Sequence, residues 1–167
     1  LITHYFHHKL RIPGIINKEE VIFPRNTPSW CYSELGVLHA IIQSTQILKF
    51  NFLSTLFKEQ LKSIIQDKNN YKIISPNFCH GYSGIFVFAR LYEVSSKELN
   101  GFLLEQIEFF YDHECLSIFY DQYYNLSGEI CSDASYSFLD GSISVLLSLL
   151  FVEGYNTVIW EEMLLLK

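Results

Sequence analysis

Cys79-His80-Gly81-Tyr82-Ser83-Gly84, followed by the apolar run from Ile85 to Val94, is the stretch that sets the architecture. A polar loop of small residues gives way abruptly to a run with hardly a polar side chain. Ile85-Phe86-Val87-Phe88-Ala89 is apolar all round, so a helix made from it must be covered on most sides. Two other segments share the design. Cys31-Tyr32-Ser33-Glu34-Leu35-Gly36 leads into Val37 to Leu48, and Leu139-Asp140-Gly141-Ser142-Ile143-Ser144 leads into Val145 to Val152. Gly36 and Gly84 stand 48 positions apart, and Gly84 and Ser144 stand 60 apart, which points to an irregular repeat of helix pairs.

A second helical pattern follows each apolar run, and this one is amphipathic. In the first, Phe52, Leu53, Leu56, Phe57, Leu61, Ile64 and Ile65 fall on one face, with Lys58, Glu59, Lys62 and Gln66 opposite. In the second, Leu99, Phe102, Leu103, Ile107 and Phe110 make the stripe. The third is expected from about Thr157 to Leu166, with Thr157 as its N-cap. Buried inner helices alternating with half-wet outer ones describe an all-α array of about three hairpins, a layered barrel or a solenoid. The connections Leu10 to Trp30 and His113 to Ser137 are long for such an array, and long loops commonly lie over a site. Ile118-Phe119-Tyr120 and Tyr123-Tyr124 read as a short extended pair within the second.

Composition narrows the function. The 167 residues are enough for one domain with a core. Net charge is -6 with no Lys/Arg cluster, which argues against nucleic-acid binding. The longest apolar candidate, Phe138 to Val152, is broken by Asp140 and several serines, so no membrane span is expected. The N-terminus shows no signal pattern, and the chain reads as soluble and cytoplasmic. It begins at Leu1 and not at Met, as expected of a piece of a longer protein.

Four cysteines, Cys31, Cys79, Cys115 and Cys131, admit disulfides, metal binding or burial. Without an export signal a disulfide framework is the weakest of these. Cys79 and His80 stand side by side at the mouth of a helix, and Cys31 occupies the equivalent loop of the preceding repeat. Stacked repeats would bring the two loops to one end. Two thiolates and an imidazole suit zinc and leave its fourth position open, as catalytic zinc sites do. Ordinary core cysteines are the competing reading, and spacing alone does not separate the two.

A resemblance bears on the choice. Trp30-Cys31-Tyr32 with Gly36, then Cys79-His80-Gly81 with Gly84, resembles the paired signature W-C-Y-G-x-P-G and C-H-G-x-x-G of the lanthionine synthetase C-like family. Leu139 to Ser144 resembles the loop that opens the family's next inner helix. The resemblance implies an α/α toroid of inner and outer helices, of which residues 1–167 would be the C-terminal, zinc-binding part. It implies Zn²⁺ held by Cys31, Cys79 and His80. It implies a cyclase that adds a peptide cysteine thiol to dehydroalanine or dehydrobutyrine, forming the thioether rings of lantibiotics. A thiol entering the open position would lose its proton yet stay nucleophilic, because two cysteine thiolates already offset the metal charge. The enolate formed by addition then needs an acid.

The implied partners are a dehydrated precursor peptide, a lantibiotic dehydratase, and the missing N-terminal half or a second copy of the chain. Tyr32 matches the family's tyrosine and is a candidate for orienting the thiol or moving a proton; a packing role competes with it. The family's histidine acid lies further upstream than this chain reaches. His4, His7 and His8 are too near Cys31 to be its equivalents, and Arg25 does not match the family's arginine. Ser33 stands for a glycine, Leu35 for a proline and Ser144 for a glycine. Those departures keep two alternatives open: a zinc-bearing module that only grips a peptide, and a purely structural α-hairpin scaffold. Cys115, Cys131 and His113 read as loop or packed residues, His39 as a core histidine, and Asp140 as a helix cap.

Overall fold

A computed structural model describes residues 15–16, 21–22, 28–31, 33–114, 118–125, 127–155, 160, 162, 164 and 166. The chain divides into two compact units, Leu1–Lys72 and Ile73–Lys167. Among the described residues the regular structure is five α-helices, one 3₁₀ turn (Lys68–Asn70) and two small two-stranded sheets, so the chain is all-α as the periodicity predicts. No helix among them is long and apolar enough to cross a membrane.

In the first unit, β1 (Ile15–Ile16) pairs antiparallel with β2 (Val21–Ile22). Helices α1 (Glu34–Ile47) and α2 (Asn51–Gln66) pack against each other. Ser33 is the N-cap of α1. Its hydroxyl accepts from the Leu35 N–H at 3.4 Å and donates to the Ser29 carbonyl at 2.8 Å, serving one of the helix's unpaired amides. At the other end Lys49 takes a left-handed conformation, φ 60°, and the Phe50 N–H returns to the Thr45 carbonyl at 2.8 Å. Leu35, Leu38 and Ile42 of α1 and Phe57, Leu61 and Ile65 of α2 are buried. Each such side chain contributes about 1.5–3 kcal/mol by leaving water. Phe52, expected in the stripe, is instead 79% exposed. The buried face of α2 runs Ser54, Phe57, Leu61, Ile65, which turns Phe52 outward.

In the second unit, α3 (Tyr82–Leu91) is the central element. Helices α4 (Lys97–Glu108) and α5 (Ser142–Val152) both pack on it. Every residue of α3 from Tyr82 to Ala89 is buried, as its all-round apolar sequence requires. Helix α4 starts at Ser96, whose hydroxyl accepts from the Leu99 N–H at 3.1 Å, and buries Leu99, Leu103 and Ile107. The long connection after α4 carries a hairpin, β3 (Tyr120–Tyr124) with β4 (Ile130–Ala134), in register Gln122 to Ser132. The expected pairing of Ile118–Tyr120 with Tyr123–Tyr124 is not made. Those segments share one strand or adjoin it, and Phe119 bridges Tyr111 instead.

Helix α5 departs from the expectation of an inner helix covered all round. Its buried side chains are Ser142, Ser144, Val145 and Ser148, while Ile143, Leu146 and Leu150 are exposed. The small face goes inward because its hydroxyls are satisfied there: Ser142 exchanges hydrogen bonds with the Phe119 backbone, and the other two bond back along the helix. Ser148 donates to the Ser144 carbonyl at 2.7 Å and Ser144 to that of Gly141 at 2.7 Å. The predicted third outer helix, from Thr157, lies largely outside the described residues. Trp160, Leu164 and Leu166 are buried, and the Trp160 ring meets Phe78 edge to face at 5.2 Å.

Candidate metal centre

The loops that enter the helices carry the chemistry, and they are built alike. An added Cβ on Gly36 would lie 1.8 Å from the Trp30 carbonyl oxygen, and one on Gly84 would lie 2.2 Å from that of Phe78. Both glycines therefore sit inside the first turn of their helix with the preceding loop pressed against them. This is why α1 and α3 begin before Gly36 and Gly84, earlier than the apolar runs suggested.

The second and third loops match most closely, at an offset of 60 residues. The Tyr82 N–H donates to the Ser75 carbonyl at 3.0 Å, and the Ser142 N–H to that of Ser135 at 2.8 Å. The Ser75 hydroxyl accepts from the Asn77 N–H at 3.2 Å, and the Ser135 hydroxyl from the Ser137 N–H at 3.1 Å. At this offset Leu139 stands where Cys79 does and Asp140 where His80 does. The third loop keeps the turn and lacks the ligands. Asp140, expected to cap α5, does not; Gly141 is the N-cap, and the Asp140 side chain is exposed.

The third loop also holds the second. The Leu139 carbonyl accepts from the Cys79 N–H at 3.1 Å, and the Ser144 hydroxyl accepts from the Phe78 N–H at 3.1 Å. Ser144, which stands where the family pattern has glycine, thus pins the backbone just ahead of Cys79. The departure at Ser33 has an equally local role, as the cap of α1.

Around His80 lies a polar network within the second unit. The Asn77 Oδ1 accepts from the His80 N–H at 2.9 Å. The Asn77 Nδ2 lies 3.1 Å from Asp121 Oδ1, 3.5 Å from the Asp140 carbonyl oxygen and 3.2 Å from His80 Nε2. The Ser75 hydroxyl donates to Asp121 Oδ1, and Asp121 Oδ2 is 3.8 Å from His80 Nε2. Burial pushes the Asp121 carboxyl above its usual range. The Ser75 hydrogen bond and the His80 ring oppose that, and the Asp140 charge adds to it. Neither Asn77 nor Asp121 stood out in the sequence. The signal for Asn77 was its place in the loop, three residues before His80. Asp121 had none, because it arrives from the distant hairpin.

Cys31 is exposed and Cys79 half-buried. Cys31, Cys79 and His80 form a group that could hold a metal ion, with their ligand atoms within 4.8 Å of one another. It is the one such group of His, Cys, Asp and Glu found among the described residues. Tyr32, Arg25, Cys115 and the histidines His4, His7 and His8 lie outside the described residues. Cys131 sits in β4 opposite Tyr123, His39 is buried in α1, and His113 is exposed with its ring against Tyr111. None of these three joins the group.

The family model described as Lanthionine synthetase C-like protein matches residues 1–165. No curated protein matches the chain.

Proposed function

The chain belongs to the lanthionine synthetase C-like family, and we propose that it is the zinc-bearing part of a lanthionine cyclase, with Cys31, Cys79 and His80 as the ligands. The observation that carries this reading is the grouping of those three donors in a chain of that family. The donor set fits zinc. Two thiolates and a neutral imidazole match its softness and charge, and three protein ligands are one short of its usual four. When bound, zinc supplies the Lewis acidity that deprotonates a thiol in the remaining position.

The chain's own residues do the rest. Cys31 and Cys79 supply anionic sulfur, so the centre stays electron-rich and the substrate sulfur stays nucleophilic. The Leu139 carbonyl and Ser144 hydroxyl hold the Phe78–Cys79 backbone in place. Asn77 fixes the backbone on the His80 side. In the reaction, the substrate thiol adds across the C=C bond of dehydroalanine or dehydrobutyrine. The S–C bond forms as the π bond breaks, and the α-carbon takes a proton to balance the one the thiol lost. Tyr32 is the proposed residue for orienting the thiol or relaying that proton.

The substrate is then a dehydrated precursor peptide, made by a dehydratase partner in lantibiotic biosynthesis. The exposed Ile143, Leu146 and Leu150 of α5 support a place for further helices or a second copy there.

The test is cyclisation of a dehydrated precursor peptide by the full-length protein, with remaining cysteine thiols counted by alkylation and mass spectrometry. Thiols should disappear with the wild-type protein and persist with Cys79→Ala. Zinc-loaded wild-type protein that binds the peptide yet consumes no thiol would replace the cyclase with a peptide-gripping module.

A further inference from the structure

We propose that the exposed, tyrosine-bearing face of the β3–β4 hairpin is a docking surface for a basic segment of the substrate peptide, held beside the Cys79–His80 loop. The inference rests on the cyclase reading for the identity of the peptide. It adds where that peptide lies and what charge it carries.

The fold leaves this face open. In the hairpin register Tyr120, Gln122 and Tyr124 share a face with Ala134, Ser132 and Ile130. Tyr120 is 40%, Tyr124 59% and Ile130 56% exposed, a grouping of large side chains that marks an interaction surface. The other face anchors the hairpin, since Asp121 accepts from Ser75 and Asn77 of the loop that carries Cys79 and His80. The open face is therefore fixed close to two of the three donors. Its size suits an extended peptide. Five residues by two strands cover roughly 17 Å by 10 Å, on the order of 170 Å². A stable interface with a second copy of the chain needs roughly 800 Å² on each partner.

Charge names the occupant. From Glu98 to Glu162 the chain has twelve Asp and Glu and no Lys or Arg. Acidic side chains stand at both ends of the open face. The Tyr120 hydroxyl donates to the Asp112 carboxylate at 3.1 Å, and the same carboxylate accepts from the Glu114 N–H at 2.9 Å. At the other end Glu129, which is exposed, immediately precedes Ile130. Carboxylates around a tyrosine face attract Lys and Arg, and phenol rings take their cationic heads on the ring face. A basic segment with apolar residues between its charges matches both features. An acidic segment or an anionic membrane surface meets repulsion.

The experiment measures fluorescence anisotropy of two labelled, cysteine-free synthetic peptides with the full-length protein. One alternates lysine with valine and the other glutamate with valine. Without cysteine neither reaches the metal centre through sulfur, so binding is read apart from zinc chemistry. The lysine peptide should bind, more weakly as salt rises, and the glutamate peptide should not. Glu114→Lys/Glu129→Lys should weaken the lysine peptide roughly 5–30-fold. Tyr124→Ser should weaken it about 2–5-fold and serves alone should the charge pair fail to fold, which melting temperatures show. Glu93→Lys/Glu153→Lys changes the net charge equally, at exposed positions just past the far ends of α3 and α5, about 15 Å of helix from the entry loops. That pair should leave affinity within about twofold of wild type. No binding of the lysine peptide, equal binding of the glutamate peptide, or equal weakening by the far-end pair overturns the proposal. So does a dimer in light scattering that the hairpin pair alone dissolves, which would give the face to a second copy. Those results leave the cyclase reading standing, since it is tested by zinc content and thiol loss. Protein without zinc that still binds the lysine peptide through the hairpin overturns the cyclase reading and leaves the basic-peptide surface.

Discussion

Gly84→Ala should destabilise the protein, although the same change at most helical glycines stabilises. Gly84 lies inside α3, where alanine is worth about 1 kcal/mol over glycine through helix propensity. Against that gain stands the Phe78 carbonyl oxygen, 2.2 Å from where the new Cβ would be. Ordinary contact needs ~1 Å more. The neighbour is backbone and cannot rotate away. The Phe78 N–H is bound to Ser144 and the next amide, that of Cys79, to Leu139. Overpacking of this kind costs about 1–3 kcal/mol, and the pinned backbone puts the cost near the upper end. The net loss is about 1–2 kcal/mol, or a melting temperature lower by ~2–8 °C. Gly101→Ala is the internal control. It lies in α4 with nothing within 4 Å of its added Cβ, so propensity acts alone and stability should rise by up to about 1 kcal/mol. Urea unfolding of wild type and both variants measures the pair. If Gly84→Ala proves as stable as wild type or more so, the close approach that explains the motif is refuted.

Two further outcomes follow from the loop network. Ser144→Ala, and equally Ser144→Gly, removes the acceptor of the buried Phe78 N–H and should cost about 1–3 kcal/mol in urea unfolding, whereas an unaffected midpoint would show the serine to be incidental. In metal-free protein the raised Asp121 pKa makes its ionisation unfavourable in the folded state. The stability it contributes is complete below the ordinary 3.8 and is lost as pH rises through its folded value. Asp121→Asn should therefore gain stability on wild type as pH rises through that window, and two parallel stability–pH curves would contradict this.

Much of the arrangement was legible because its signals are local. The all-round apolar run after Gly84 announced a covered helix, and α3 is covered. The spacing of Leu99, Leu103 and Ile107 gave the buried face of α4. Cys79 and His80 adjoin in sequence and needed only the matching loop of Cys31 to complete a donor set. What stayed illegible depends on long-range contact. Gly36 and Gly84 read as the ends of their entry loops, but each lies inside the first turn of its helix and admits a carbonyl from that loop. Helix α5 reads as an apolar inner helix, yet it buries its serine face, where the Ser144 and Ser148 hydroxyls bond back to the helix and let it lie close to α3. Phe52 matched a helical stripe by spacing and still faces water, since periodicity gives the width of a face only roughly. Asp121 sits in a strand of mostly exposed tyrosines, and nothing near it in sequence says that it returns to the loop of His80.

Zinc content of the full-length protein, purified without added metal, tests the central claim most directly. One zinc per chain is predicted, lost on Cys31→Ala, Cys79→Ala or His80→Ala. Zinc well below one per chain, or zinc unaffected by Cys79→Ala, would contradict it.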